Sequence, residues 1–380
     1  MKKSEFFNSA QTWSKRKHRL LGKYLVPFSA KVGSLSPEIF CIDGFAGQGR
    51  YADGSEGSPL LMAHVADECQ RWTSPIRLRL INIEANRRNY NKLCEVTDPW
   101  VTSGVVKNEH GRFGDLVPKI ISTIGDKPAL FFIDPYGPSP IHFDYLRPIF
   151  QRRQPITELI INFDLDGLRR LADDLRANAQ SERSRKACET IVQNVTKILG
   201  RDRWRQFFET DRLSASERSK ALLDDYVDSL SGYGYHVVAY PIRDSIASSP
   251  KYYLIYCTRH SDGIGLMSRF IRSEEDQLIR ESFESDQMLL IDPLEEEIAA
   301  RRVELRNIIL NYLQHRPKLT RGEIKRQFIF ERFGDFSEPD YNAVVQEMIE
   351  TGILSTATGR RKINDTVLLT YNPIAEGVLT

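Results

Sequence analysis

Through the first two thirds of the chain, short apolar runs alternate with longer stretches whose apolar residues recur every three to four positions. Residues 10–30 place Trp13, Leu20, Leu21, Tyr24 and Leu25 on one side of a helix. Ser36-Pro37 breaks the chain, and an apolar strand over 39–43 runs into a glycine-rich turn over 44–49. The pattern then predicts a helix over 59–69, a strand over 78–83, a helix over 86–94, a strand over 101–107 and a helix over 116–124. Buried strands follow over 129–133 and 159–163. Strand and helix in alternation predict a mostly parallel sheet covered by helices on both faces. A long helical stretch over 168–220 interrupts the alternation. Apolar strands over 235–240 and 252–257 then predict a hairpin closing the sheet edge.

The last quarter reads differently. Helices are expected over 295–314, 320–329 and 338–351, then two short strands, one beginning at Gly352 and one over 366–371, joined by a basic turn at 359–362. Three helices and a two-stranded wing predict a winged helix-turn-helix. The expected organisation is one domain over 1–285, with a helical insertion at about 168–230, and a second over 286–380.

Composition supports two ordinary globular domains: 380 residues, 41% hydrophobic and 27% charged. No apolar run approaches the ~18 residues of a membrane span. The lysines at the start have no apolar stretch behind them, so no signal peptide is expected and the cytoplasm is the expected location. The five cysteines (Cys41, Cys69, Cys94, Cys188, Cys257) are scattered without a CxxC pair, which predicts buried small hydrophobes and no zinc site. His18, His110 and His142 show no metal spacing, and no metal is expected. The net charge of +2 hides segregation: residues 1–31 hold eight Lys/Arg and one Glu, whereas residues 274–297 hold ten acids against Arg280.

The segment most informative about chemistry is IFCIDGFAGQGRY, residues 39–51. A glycine turn between strand and helix lets a ligand approach the backbone, and an acid can bind hydroxyl or ammonium groups. Asp43 ends the entering strand and Glu84 ends the next, the position of a ribose-binding carboxylate in nucleoside-cofactor sites. The plain alternative is a tight turn beside an unrelated glutamate.

Asp43, Phe45, Ala46, Gly47 and Gly49, followed by Gly57-Ser58-Pro59, resemble the start of the three-Cys-motif partner (TcmP) family, which is similar to class I methyltransferases. The segments FIDPYG (132–137), the strand over 159–163 leading to Arg169, and YYLIYCTRH (252–260) fit the same family, as does a small C-terminal winged-helix domain. The resemblance implies a Rossmann-like class I methyltransferase fold and an S-adenosylmethionine site. Asp43, Gly44, Phe45, Gly47 and Gly49 would surround the amino-acid part of the cofactor and Glu84 its ribose. The acid facing the adenine would be Glu109 or Asp115, and Asp115 reads equally as an N-cap for a helix starting at Leu116. The family's three cysteines belong to a partner protein, so the resemblance implies such a partner.

Asp134-Pro135-Tyr136-Gly137 is the chemical candidate. Amino methyltransferases carry a similar Asp/Asn-Pro-Pro-aromatic loop, in which the acid holds the target amine and the aromatic stacks on a flipped base. Here Tyr136 follows Pro135 directly, one proline short. Asp134 read plainly caps a strand-end turn. Arg169, Arg170 and the basic wing Arg360, Arg361 and Lys362 are candidates for nucleic-acid phosphates, against solvated helix faces. The helix expected to read DNA, 338–351, carries Asp340, Glu347 and Glu350 and no Lys or Arg, which opposes base reading. The expected function is an S-adenosylmethionine-dependent methyltransferase acting on nucleic acid with a partner protein. The alternative is a catalytically silent module that keeps the fold for binding.

Overall fold

The computed structural model describes residues 12–135, 141–177, 182–208, 213–243, 245, 248–250, 252–283, 293–356 and 364–373. The chain divides into two compact units, Met1–His260 and Ser261–Thr380. The expected division lay further along, at 285/286; the difference is the helix Ser261–Phe283, which groups with the second unit.

The first unit opens with α1 (Thr12–Gly33), β1 (Glu38–Asp43), α2 (Ser58–Gln70), β2 (Arg77–Glu84), α3 (Arg87–Thr102), β3 (Val106–His110), α4 (Phe113–Ile124) and β4 (Ala129–Ile133). It continues with α5 (Phe143–Phe150), β5 (Thr157–Phe163), α6 (Leu165–Ala177), α7 (Glu182–Leu199), α8 (Ala215–Ser231), β6 (His236–Ile242) and β7 (Tyr252–Thr258). The seven strands form one sheet in the order β3-β2-β1-β4-β5-β7-β6. Strands β1 to β5 run parallel, and β7 enters antiparallel between β5 and β6. This order, with its antiparallel edge hairpin, is the class I methyltransferase arrangement. The order reverses between β1 and β4, so a crevice opens at the carboxyl ends of those two strands, where such sheets bind ligands.

Strand alternation separates the two faces. On one face Phe131, Ile133, Leu159, Ile161 and Phe163 pack in a core with Phe113, Val117 and Ile120 of α4, Leu146 and Ile149 of α5, and Tyr226 of α8. On the other, Leu20, Leu21, Tyr24 and Leu25 of α1 are buried, and the Tyr24 hydroxyl donates a 2.6 Å hydrogen bond to Glu158 of β5.

Two expected boundaries move. α3 runs on to Thr102 through buried Leu93 and Thr97, so β3 starts at Val106, five residues beyond the expected start at 101. α4 begins at Phe113 with Arg112 at its cap. Asp115 is therefore inside the first turn, and its N-cap reading fails. The eight-residue α5 was not expected; with Pro148 inside it, it is too short for its period to stand out.

The second unit comprises α9 (Ser261–Phe283), α10 (Pro293–His315), β8 (Lys318–Thr320), α11 (Arg321–Glu331), α12 (Glu338–Glu350), β9 (Leu354–Thr356) and β10 (Leu368–Tyr371). Its three strands pair antiparallel in the order β8-β10-β9. Capping boxes start α11 (Thr320 with Glu323) and α12 (Ser337 with Asp340). Leu305, Ile309, Ile324, Phe328, Tyr341, Met348 and Leu369 are buried in this unit.

Candidate functional site

The glycine turn is fixed by packing on every side. Its Ala46 N–H donates to the Ile83 carbonyl and its Gly44 N–H to the Phe132 carbonyl, both at 2.9 Å. A Cβ on Gly44 would stand 2.9 Å from the Phe113 ring. Gly49 adopts φ +77, and a Cβ there would lie 2.6 Å from Val96 Cγ2, so only glycine fits. Gly57 N–H donates to the Gly49 carbonyl at 2.8 Å, which brings Gly57-Ser58-Pro59 onto the turn. Phe45 is half-buried with its ring 5.5 Å from that of Phe113; Phe113 is a neighbour that sequence reasoning did not find.

Asp43 is fully buried under this turn. Its carboxylate accepts from Ser58 Oγ at 2.6 Å and from the Phe45 N–H at 3.1 Å. Burial pushes the carboxyl up to about 7, against the pull of those two donors, with Asp134 and Glu84 adding to the rise. Glu84, half-buried at the end of β2, accepts from the Asn86 N–H at 2.6 Å. Burial raises it too, opposed by hydrogen bonds from the backbone of Asn86, Gly47 and Ala85 and by the charge of His110. The two acids singled out in the sequence thus meet at one glycine turn.

The adenine candidates differ. Glu109 lies within β3, where Lys107 (2.8 Å) and Lys119 (2.6 Å) bracket its carboxylate. Burial pushes it up, but the two lysines prevail and hold it below the usual range. Asp115 is exposed.

Beyond β4, Asp134 is half-buried and Pro135 buried; Tyr136 and Gly137 lie outside the described residues. Both Asp134 oxygens accept from the Lys17 ammonium, at 2.6 and 2.8 Å, with only 2% of the Lys17 side chain exposed. The same ammonium sits 4.7 Å from the centroid of the Tyr252 ring. Burial lowers the Lys17 pKa, opposed by the charge and hydrogen bond of Asp134. Its chain neighbour His18 is also buried. Desolvation lowers it to about 4, Asp134 opposing and Lys17 adding to the fall, so it is neutral near pH 7. No motif in the sequence marks either residue; Lys17 falls three and four positions before Leu20 and Leu21, on the apolar side of α1.

The cationic candidates come out unevenly. Arg169 is held within α6 by Asp166 at 2.8 Å and Asp173 at 2.5 Å, and Arg170 by Asp166 at 3.4 Å. Arg360, Arg361 and Lys362 lie outside the described residues. Cys41, Cys69 and Cys257 are buried and Cys94 and Cys188 half-buried, all free. Among the described residues no group of His, Cys, Asp and Glu is placed to hold a metal ion, and no helix is long and apolar enough to cross a membrane.

No family model and no curated protein matches the chain. Among solved structures it is similar to a Staphylococcus aureus protein assigned as a caffeoyl-CoA O-methyltransferase, at 12% identity over 62% of this chain and 82% of that one, with a TM-score of 0.30. It is also similar to a Klebsiella pneumoniae protein assigned as an O-methyltransferase, at 13% identity over 68% and 94%, with a TM-score of 0.32. At these scores the likeness adds nothing to the fold read from strand order, and no substrate is taken from it.

Proposed function

We propose that this chain is an S-adenosylmethionine-dependent methyltransferase whose acceptor is nucleic acid and which works with a partner protein of the three-Cys-motif kind. The observation that carries the cofactor is the meeting of Asp43 and Glu84 at one backbone turn. The chemistry fits: two carboxylates raised by burial, beside a glycine backbone, suit an ammonium group and a pair of ribose hydroxyls. Bound there, the cofactor supplies an electrophilic methyl group. Glu84 would hold the ribose, the backbone over 44–49 the amino-acid part, and Asp115 or Glu109 the adenine. Asp134 orients the acceptor; alignment of this kind is the main lever in methyl transfer.

The nucleic-acid part rests on the Asp134-Pro135-Tyr136 sequence and on the basic wing. In the second unit, α10, α11 and α12 with strands β8, β9 and β10 suit a winged helix that contacts backbone through its wing, because α12 is acidic. The partner protein rests on the family resemblance alone.

Titration calorimetry with S-adenosylmethionine on the native chain and on Glu84→Ala tests the cofactor site. Affinity is expected to fall in the variant while its circular dichroism is unchanged; equal affinities refute the assignment. A catalytically silent binding module is the second reading, favoured by Lys17 holding both oxygens of Asp134. Labelled methyl transfer to DNA, RNA and protein, in native chain and Asp134→Ala, separates the two.

A further inference from the structure

In the second unit, Arg269, Arg272, Ser273, Asp276, Gln277 and Arg280 of α9 line a cavity of about 480 Å³. They recur every three or four positions and so form one side of the helix. Arg301 and Arg302 of α10, with Asp340 in the first turn of α12, complete its charged lining among the described residues. Of the acids that α9 carries, only Asp276 is part of it. Five arginines against two aspartates leave an excess of three positive charges around one space, and arginine does not shed its proton to relieve that. Arg269, Arg280 and Arg302 are exposed, so the cavity is open to solvent along their side.

The two carboxylates are shared by the arginines and do not match them. Asp276 Oδ1 accepts from both Arg272 Nε and Arg301 Nη1, each at 2.9 Å. Asp340 lies 3.4 Å from Arg301 Nε and 3.8 Å from Arg302 Nε, beyond the usual hydrogen-bond range. Only 6% of the Arg301 side chain is exposed, and its Nε has no hydrogen-bond partner among the described residues. Arg269 and Arg280 form no ion pair among those residues. A guanidinium carries five N–H donors in one plane, and buried donors are rarely left bare. Arg272 and Arg301 each spend one on Asp276, which leaves most of their donors to a ligand.

The group that meets planar donors in pairs and cancels positive charge is phosphate, which arginine holds through two parallel hydrogen bonds. One phosphate does not suffice. Arg269 and Arg280 stand eleven residues apart on α9, about 16 Å along its axis, so a single tetrahedral ion meets only one end of the stripe. A concave space of this volume suits a small molecule, whose sites run at about 300–1,000 Å³, better than a polymer strand. We propose that the cavity takes a small molecule carrying two or three linked phosphates. Arg272 and Arg301 form its inner wall and Arg269, Arg280 and Arg302 its mouth. The site shares no residue with the glycine turn and stands whether or not the chain transfers methyl groups. Because the bound anion relieves repulsion among the guanidiniums, its binding stabilises the folded chain.

Titration calorimetry and thermal unfolding of the full chain test this, with sodium tripolyphosphate, ATP and orthophosphate at matched ionic strength and without divalent cations. Tripolyphosphate is expected to raise the thermal midpoint and to bind at least about tenfold tighter than orthophosphate. The double variant Arg269→Gln/Arg280→Gln alters only exposed side chains. It should keep the native circular dichroism and unliganded midpoint, and lose tripolyphosphate affinity at least about tenfold. ATP binding no tighter than tripolyphosphate places recognition in the phosphates alone; ATP binding at least about tenfold tighter adds a nucleoside resting on Ile298 and Pro339, which also line the cavity. Neither heat nor a raised midpoint with millimolar tripolyphosphate overturns the proposal, as does equal affinity in the double variant or for orthophosphate. A single-stranded oligonucleotide that binds tighter than tripolyphosphate, and loses that affinity in the double variant, gives the arginines to a nucleic-acid backbone and overturns it too.

Discussion

Replacing Lys17 by Met removes one half of an ion pair that the fold has largely taken out of water. The nitrogen stands 2.6 and 2.8 Å from the Asp134 oxygens, with side-chain exposures of 2% and 16%. At an effective dielectric of about 20, unit charges some 3 Å apart attract by roughly 5 kcal/mol before desolvation is subtracted. Desolvation takes back part of that gain, as the lowered Lys17 pKa records. Breaking a buried pair costs about 3–5 kcal/mol, because the surviving charge is left uncompensated. The residual exposure of Asp134 places the expected loss for Lys17→Met at the low end, about 3 kcal/mol. Asp134→Asn leaves a buried amine that can shed its proton, so its cost should be smaller. The double variant carries neither charge and should cost no more than Lys17→Met alone, giving a coupling of about 2–3 kcal/mol. Urea unfolding of the four proteins at pH 7, followed by tryptophan fluorescence, measures it. A coupling under about 0.5 kcal/mol would show that the pair adds nothing beyond two independent side chains.

Asp43 and His18 make opposite contributions to the pH dependence of stability. Asp43 is raised to about 7 from an unfolded value near 3.9, so its contribution is fully present below about pH 4 and lost as pH rises through 7. That rise bounds the change at about 4 kcal/mol. Asp43→Asn should flatten that slope in urea midpoints measured from pH 4 to 8, and an unchanged slope contradicts the burial argument. His18 is lowered to about 4 from about 6.5, so its contribution is present above pH 6.5 and lost as pH falls through 4. His18→Asn should make the acid limb shallower by up to about 3 kcal/mol; an acid limb of native steepness counts against it. Gly49→Ala forces a left-handed alanine into Val96, at an expected cost of about 2–4 kcal/mol. A thermal midpoint within a degree of native would refute that packing.

Much of the sheet was legible because its strands are continuous apolar runs ended by turn residues: β4 was expected over 129–133 and lies at Ala129–Ile133. β3 was misplaced because Val-Lys-Asn-Glu-His is an edge strand with little apolar signal, while Val101, exposed at 41% on α3, looked like its start. At the site, Asp43, Glu84 and Asp134 could be picked out because each closes a strand. Lys17 could not: it is a lysine on an apolar helix stripe, and local pattern gives no hint of which distant strand end it meets. Phe113 matters only through its approach to Gly44, a contact set by the sheet and not by spacing along the chain.

The polar anchors of α1 also set an order of events. The helix leaves the ribosome before every strand it anchors to: Lys17 waits for Asp134 117 positions on, and Tyr24 for Glu158 and Tyr256, 134 and 232 positions on. At about 5–20 residues per second, the last of these strands follows the helix by more than about ten seconds. Until then α1 carries an apolar stripe with only part of its sheet to receive it. The nascent chain therefore spends that interval with this helix needing shelter, and the contact between Lys17 and Asp134 can close well before the one between Tyr24 and Tyr256.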